Sequence, residues 1–289
     1  MKYIDLHVHS NRSDGTDSPA ELVKRAAARG LSAVALTDHD TVNGIEEAIQ
    51  AAKLESQAGR SIQIIPGIEI SAGYKQRDIH ILGLFIQWNN LDLKNALEIA
   101  IQSRERRNEE MVSRLRKAGI SITIDDLRNQ EPDTVITRAH FARFLTEQGY
   151  VHSKAEAFEK YLNPSTPYYV PRSYIEPSKA ISLIKNSGGI AILAHPLLYE
   201  HTLQETKILM ETVIHHGIEG FEAIYSSHSD SDEQLVRSFA KKHHLLITGG
   251  SDYHGSNKPL IQLGTGRGNL KIPYSILESL EDYLKSRIK

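Results

Sequence analysis

The pattern of apolar and polar positions changes period at regular intervals along the first third of the chain. Residues 3 to 8 form a short apolar-rich run interleaved with polar positions, which predicts a strand. Ser18-Pro19-Ala20-Glu21 then supplies a capping box with a proline at the first helical position, predicting a helix that stops at Gly30. SAVALT (32 to 37) predicts a second strand ahead of a helix over about 44 to 58. Apolar runs at 62 to 66 and 79 to 86 predict further buried strands.

The same alternation resumes near the end. GGIAILAHP (188 to 196) predicts a strand, followed by a helix capped by Thr202 with Glu205 three residues on. GIEGFEAI and HLLITGG bracket another helix at about 230 to 243. Strands alternating with helices imply a parallel sheet with helices outside it, hence an α/β barrel or a doubly wound sheet. The middle breaks this rhythm: from about 92 to 162 the pattern is helical, with the charged run RERRNEEMVSRLRKAG, before YYVP leads back. The division this predicts is a barrel from 1–91 and 175–289, with a small helical domain inserted at 92–174. Insertions on the strand-end face of such folds often close over the site.

Composition narrows the chemistry. With 40% apolar and 24% charged residues, the 289-residue chain is ordinary for a globular protein and can bury a large core. It has no cysteine, so disulfides, thiolate metal sites and cysteine nucleophiles are excluded, and any metal must be held by His, Asp or Glu. A net charge of −2 argues against bulk electrostatic coating of nucleic acid and leaves a small or short anionic substrate open. The polar start and the lack of any long apolar run predict a cytoplasmic chain with no membrane span, and no obligate protein partner is evident.

The fourteen histidines concentrate where predicted strands end. His7 and His9 lie two apart on a strand, so both side chains are expected on one face, with Asp5 sharing it and Leu6 and Val8 packing the other way. An isolated His-X-His is as often packing as ligation. Here four more clusters follow predicted strands: Asp38-His39-Asp40, Glu69 in PGIEIS, His195 in AHP, and Ser251-Asp252-Tyr253-His254. In a parallel α/β fold those strand ends share one rim, and Asp14 and His80 join the set.

Six segments, DLHVHSNRSDG (5 to 15), LTDHDT (36 to 41), PGIEIS (66 to 71), HILGL (80 to 84), AHP (194 to 196) and GSDYHG (250 to 255), resemble in kind and order the polymerase and histidinol phosphatase (PHP) superfamily of phosphoesterases. The resemblance implies an irregular seven-stranded (β/α) barrel and a metal-dependent phosphoesterase with two or three divalent ions. It implies His7, His9, Glu69 and Asp252 on one ion, Glu69 bridging to a second held by His80 and His195, and Asp14, His39 and His254 on a third. In this reading His7, His9, Glu69 and Asp252 act catalytically through the metal, and Asp5 orients a ligand imidazole through its remaining N–H. Imidazole and carboxylate ligands suit Mn2+, Fe2+ or Zn2+ better than Mg2+ without choosing among the three, and Mn2+ is the expected ion, with Fe2+ and Zn2+ as alternatives.

ITRAHFARFLTEQGYV (136 to 151), YYVPR (168 to 172) and EAIYSSHSD (222 to 230) resemble the stand-alone members that act on nucleoside 3′,5′-bisphosphates and trim 5′ ends of RNA. That implies a nucleotide substrate, or a short RNA end, with Arg138 clamping a phosphate through its planar fork. His228 is a further catalytic candidate; it and Ser227 are substrate contacts at the phosphate or the leaving oxygen, and Arg12 is a further phosphate contact. The plainer reading of His228 and Ser227 is a polar helix N-terminus, with Ser229 as its cap. His215, His216, His243 and His244 fall late in helices and need no chemistry. Two other functions remain open: a histidinol-phosphate phosphatase, and a non-catalytic metal-binding module.

Overall fold

The computed structural model describes residues 2–75, 77–129, 134–171, 174–199 and 202–287. Arg172, the last residue of YYVPR, lies outside them. Among the described residues seven strands form one sheet in sequential order: β1 (Tyr3–Val8), β2 (Leu31–Leu36), β3 (Gln63–Tyr74), β4 (Arg77–Leu84), β5 (Ile190–Leu193), β6 (Gly220–Tyr225) and β7 (Leu246–Gly250). The chain beyond β7 returns to β1, where the His9 amide donates to the Tyr253 carbonyl at 2.9 Å and the Asp252 amide to the His7 carbonyl at 2.9 Å. The sheet is thereby nearly closed into a barrel.

The sheet is mixed, not wholly parallel as the alternation predicted. β3 is a twelve-residue strand that runs well past residue 66, and β4 returns antiparallel to both β3 and β5. β3 and β4 pair up to Tyr74 opposite Arg77, so no crossover helix of the kind a parallel connection needs lies between them. The apolar run at 62 to 66 marks only the first part of this strand, because Pro66 and Gly67 interrupt the apolar pattern.

Helices α1 (Pro19–Ala28) and α2 (Ile45–Gln57) follow β1 and β2. Between β4 and β5 lie α3 (Leu91–Lys117), α4 (Ile124–Arg128), α5 (Arg138–Glu147), α6 (Lys154–Ala157), a five-residue π turn at Phe158–Leu162, and α7 (Pro177–Asn186). Among the described residues the expected helical stretch is thus broken at 118–123, 134–137 and 148–153. Helices α8 (Leu203–His215), α9 (Asp230–Lys242) and α10 (Ser275–Arg287) complete the chain. Ser18, Thr202 and Ser229 each cap their helix in a full capping box, satisfying first-turn N–H groups.

Three apolar clusters organise the molecule. One lies between the sheet and the outer helices and takes Ile68, Ile70, Ile79 and Ile81 from β3 and β4. The second takes the alternate residues Ile65, Leu82, Leu84, Ile190 and Ile192, with Ile4 and Leu6, and so fills the barrel. Helix α10, which the pattern analysis missed, plugs its lower end through Ile276, Leu277 and Leu280. There the Tyr283 hydroxyl donates to Glu219 at 2.9 Å and Arg287 to the Gly189 carbonyl at 3.0 Å. The third cluster, built on Phe141, Met111, Leu115 and Leu162, belongs to the segment between β4 and β5, with Ile120, Ile122, Ile136 and Val151 joining it from between the helices and Tyr168 and Val170 packing against it. Helix α3 joins it to the barrel: Leu93 and Leu97 sit in the first cluster and Met111, Val112 and Leu115 in the third.

Phe141 is fully buried in that third cluster. Phe141→Ala is expected to cost about 3 to 5 kcal/mol there through lost burial and a cavity. Amide exchange should speed up across α4–α6 and stay slow in β1–β7; a uniform loss of protection through the barrel would contradict this.

Candidate metal centre

The site forms where β1 is irregular. The register against β2 shifts between Asp5 and Val8, one extra residue on β1, so side-chain direction changes partway along the strand. Ile4 and Leu6 point into the barrel core, Val8 into the outer cluster, and His7 and His9 together at the upper rim. Leu6 and Val8 therefore do not share a face. Asp5 is on neither face of the site: its carboxylate accepts from the Ser251 amide at 2.8 Å, the Ser251 hydroxyl at 2.6 Å and the Gly264 amide at 2.7 Å. It makes no hydrogen bond to an imidazole among the described residues, so the expected orienting role is corrected to one of fastening the end of β7 to β1. Burial pushes its carboxyl up to about 6, against those donors.

The group that orients an imidazole is Glu222 on β6, fully buried. It accepts from His7 Nδ1 at 3.0 Å and from the His195 amide at 2.9 Å. Glu222 stood inside a quoted motif but carried no role, because inward alternation on β6 alone does not say which inward residues reach a ligand. With Nδ1 engaged, His7 turns Nε2 toward Glu69 at 3.3 Å and Asp252 at 3.7 Å. His9 Nε2 lies 3.1 Å from Glu69, 3.4 Å from Asp252 and 3.1 Å from His7 Nε2.

Glu69 sits within β3 rather than after it, and β4's reversal brings His80, near a strand start, to the same rim as the other strand ends. Glu69 lies 2.8 Å from His80 Nδ1, 3.2 Å from His195 Nε2 and 3.1 Å from His39 Nδ1. On the far side Asp14 lies 3.2 Å from His254 Nε2 and 3.8 Å from both His39 Nε2 and His9 Nδ1. All nine residues singled out as ligands thus converge. Their donor atoms fall into overlapping groups small enough to coordinate an ion: His7, His9 and Glu69; His39, Glu69 and His80; and His9, Asp14, His39 and His254.

The rim is locally strained and tightly packed. Asp40, His195 and Asp252 adopt φ of 55°, 27° and 57°, a region costing non-glycine residues about 1 to 3 kcal/mol each. A Cβ on Gly250 would collide with the His7 Cβ, so only glycine lets β7 approach β1 closely enough to set Asp252 beside His7. Burial opposes ionisation of Glu69, yet the surrounding imidazoles, with the charges of His80 and His7 among them, hold its carboxyl well below the usual range. Asp252 is likewise held low, against its burial, by Lys258, His254 and His7. Burial holds the His39 imidazole down at about 3, neutral with a lone pair to offer.

The donor set fits divalent ions. Buried Nδ1 atoms of His39, His80 and His195 and one Glu69 oxygen have no hydrogen-bond partner. Two imidazole Nε2 atoms 3.1 Å apart, flanked by ionised carboxylates, form a poor hydrogen-bonded cluster and a good coordination shell.

A cavity of about 350 Å³ opens beside this rim. Asp14, His39, His80 and His254 line one wall, and Arg138, Lys154 and Phe158 from the α3–α6 segment line another, with Arg104 and Lys258 between. Arg138 stands over the Phe158 and Tyr169 rings at 5.9 and 5.6 Å. The other substrate candidates differ. Arg12 donates to Glu47 on α2 at 2.9 Å, a structural pairing. Ser227 is exposed and does not line the cavity. His228 is buried outside the cavity lining, with Nδ1–H donating to the Ala223 carbonyl at 2.9 Å and Nε2 unpartnered. Sequence reasoning missed Arg104, which pairs with Asp40 and donates to the Ser71 hydroxyl at 3.2 Å, and Lys258, 2.6 Å from Asp252. Lone cations in helices and loops carry no pattern that separates them from solvated surface charge. No helix among the described residues is long and apolar enough to cross a membrane.

The PHP domain family model matches residues 5–248. The chain is 38% identical over 253 residues to a 5′-3′ exoribonuclease of Haemophilus influenzae, covering 88% of this chain and 90% of that one. It is 37% identical over 257 residues to a 3′,5′-nucleoside bisphosphate phosphatase of Chromobacterium violaceum, covering 88% of each. Among solved structures, a sulfate-bound, metal-free protein of Chromobacterium violaceum described as an amidohydrolase superposes with a TM-score of 0.86 at 33% identity, over 97% of this chain and 96% of that one.

Glu222→Gln keeps the shape of the side chain and removes the charge behind His7. The expected result is a 10- to 100-fold loss of Mn2+ affinity in calorimetric titration of metal-free protein, with the fold intact by circular dichroism. Unchanged affinity would assign Glu222 to packing alone.

Proposed function

The chain belongs to the PHP family and is a metal-dependent phosphohydrolase; on that footing we propose that it removes the 3′-phosphate of nucleoside 3′,5′-bisphosphates and cuts the equivalent linkage at the 5′ end of short RNA. The observation that carries this reading is a single cavity bounded by candidate metal ligands on one side and by the Arg138 guanidinium on the other. Among the described residues Arg138 has no ion-pair partner, only the Leu162 carbonyl at 3.4 Å and two aromatic faces. A cation so held suits a second, uncleaved phosphate.

In this proposal His7, His9, Glu69 and Asp252 hold one ion, Glu69, His80 and His195 a second, and Asp14, His39 and His254 a third, with Mn2+ the best match to mixed nitrogen and oxygen donors. Bound divalent ions supply neutralisation of the phosphoryl oxygens and acidify water at the site. Arg138 orients the substrate through its 5′-phosphate, and the segment 92–174 covers the cavity and limits water. His228, buried outside the cavity lining with its Nδ1–H on the Ala223 carbonyl, is given no step in this proposal. Histidinol phosphate would leave Arg138 and Lys154 without an anion to neutralise, which favours the nucleotide.

Removing a clamp weakens binding and alignment without touching the ligands, so Arg138→Ala should lose about 10- to 100-fold in kcat/KM on adenosine 3′,5′-bisphosphate, the equivalent of 1.5 to 3 kcal/mol. The loss on an aryl phosphate should be far smaller. Equal losses on both substrates would refute the clamp.

A further inference from the structure

Among the described residues four cationic side chains line the cavity, and they are not equivalent. Arg104 is committed to Asp40, and Lys258 to Asp252. Arg138 and Lys154, both from the segment between β4 and β5, make no ion pair among the described residues. The Lys154 ammonium meets only neutral oxygens: Asn257 Oδ1 at 2.8 Å and the Asn257 carbonyl at 3.4 Å. Burial and the charge of Arg143 lower its pKa from the usual lysine value, against the opposing influence of Glu147. An ammonium partly desolvated, beside another cation and facing an open cavity, is poised for an anion.

Asn257 fixes where that ammonium sits. It belongs to the turn Gly255–Asn257 beyond β7, and its side-chain amide donates to the Asp14 carbonyl at 2.8 Å. Asp14 is one of the residues around the candidate metal centre. Lys154 is therefore held by one amide to the loop that carries Asp14, a short link between the helical segment and the rim.

We propose that Lys154 is a specificity-determining residue, forming with Arg138 a two-cation cradle for a terminal phosphate dianion, with Asn257 as the positioning residue that holds its ammonium toward the cavity. This rests on the reading of Arg138 as the site of the uncleaved 5′-phosphate. A terminal phosphate monoester carries close to two charges at neutral pH, its second pKa being about 6, whereas an internal diester carries one. One guanidinium neutralises a diester; a guanidinium and an ammonium together match a monoester. The cradle would thus distinguish a free 5′ end from the interior of a strand by charge.

The experiment compares kcat/KM on adenosine 3′,5′-bisphosphate, its 5′-O-methyl phosphate ester and adenosine 3′-monophosphate, for the Mn2+-loaded wild type, Lys154→Met, Lys154→Arg and Arg138→Ala. Calorimetric binding of adenosine 5′-monophosphate to each protein gives a readout independent of turnover. Wild type should prefer the bisphosphate to both other substrates. Lys154→Met should lower the ratio of bisphosphate to methyl ester by about 10-fold or more and weaken 5′-monophosphate binding similarly, while Lys154→Arg restores most of both. A Lys154→Met protein that loses rate equally on all three substrates, or retains the wild-type ratio while Arg138→Ala loses it, overturns the cradle and leaves the clamp standing. A wild type with no preference for the bisphosphate over the 3′-monophosphate removes the underlying reading, and the cradle with it.

Discussion

The fold depends on how a barrel rim can hold many unpaired ligand atoms in a space closed to solvent. Six imidazoles and three carboxylates meet within a few ångströms, most of them buried, and several of their polar atoms find no hydrogen-bond partner. In a folded protein such orphaned groups each cost about 1 to 3 kcal/mol. The chain also accepts left-handed backbone at Asp40, His195 and Asp252 to aim three segments inward. A site assembled at this expense is stabilised when cations occupy it, and the barrel beneath, packed through Leu82, Ile192 and the plugging helix α10, supplies the rigidity that keeps it open.

Two departures from regular α/β geometry make the convergence possible. The antiparallel return of β4 brings His80 to the end of the barrel where the parallel strands finish, opposite Ser71 and within reach of Glu69. The extra residue in β1 turns His7 and His9 toward the rim although Leu6 packs in the core below. The segment between β4 and β5 then has a core of its own and reaches the cavity through Arg138, Lys154 and Phe158. In the proposed function, chemistry and substrate recognition are thereby drawn from different parts of the chain, one from the candidate metal ligands and the other from cations without an ion-pair partner among the described residues.

Much of this was legible in the sequence because histidines and carboxylates at strand ends form a pattern that survives ignorance of the strand directions. The nine residues named from the motifs meet in one place even though the sheet is not parallel throughout. What stayed hidden follows from geometry that no local period encodes. A bulge between Asp5 and Val8 reassigns Asp5 from the site to the Ser251 and Gly264 amides, and Pro66-Gly67 disguised a single long strand as something shorter. Glu222 looked like one more inward residue until its distance to His7 was known. Arg12 reached for Glu47 instead of the cavity, since a loop arginine finds whichever carboxylate the neighbouring helix presents.

The central claim is that the rim is one multinuclear centre rather than a collection of packed histidines. The most direct measurement strips the protein with chelator, reconstitutes it with Mn2+, removes free ion by gel filtration and counts metal per chain by mass spectrometry. Two to three ions per chain are expected, because nine ligand residues exceed one ion's coordination shell. A stoichiometry that never rises above one would contradict it.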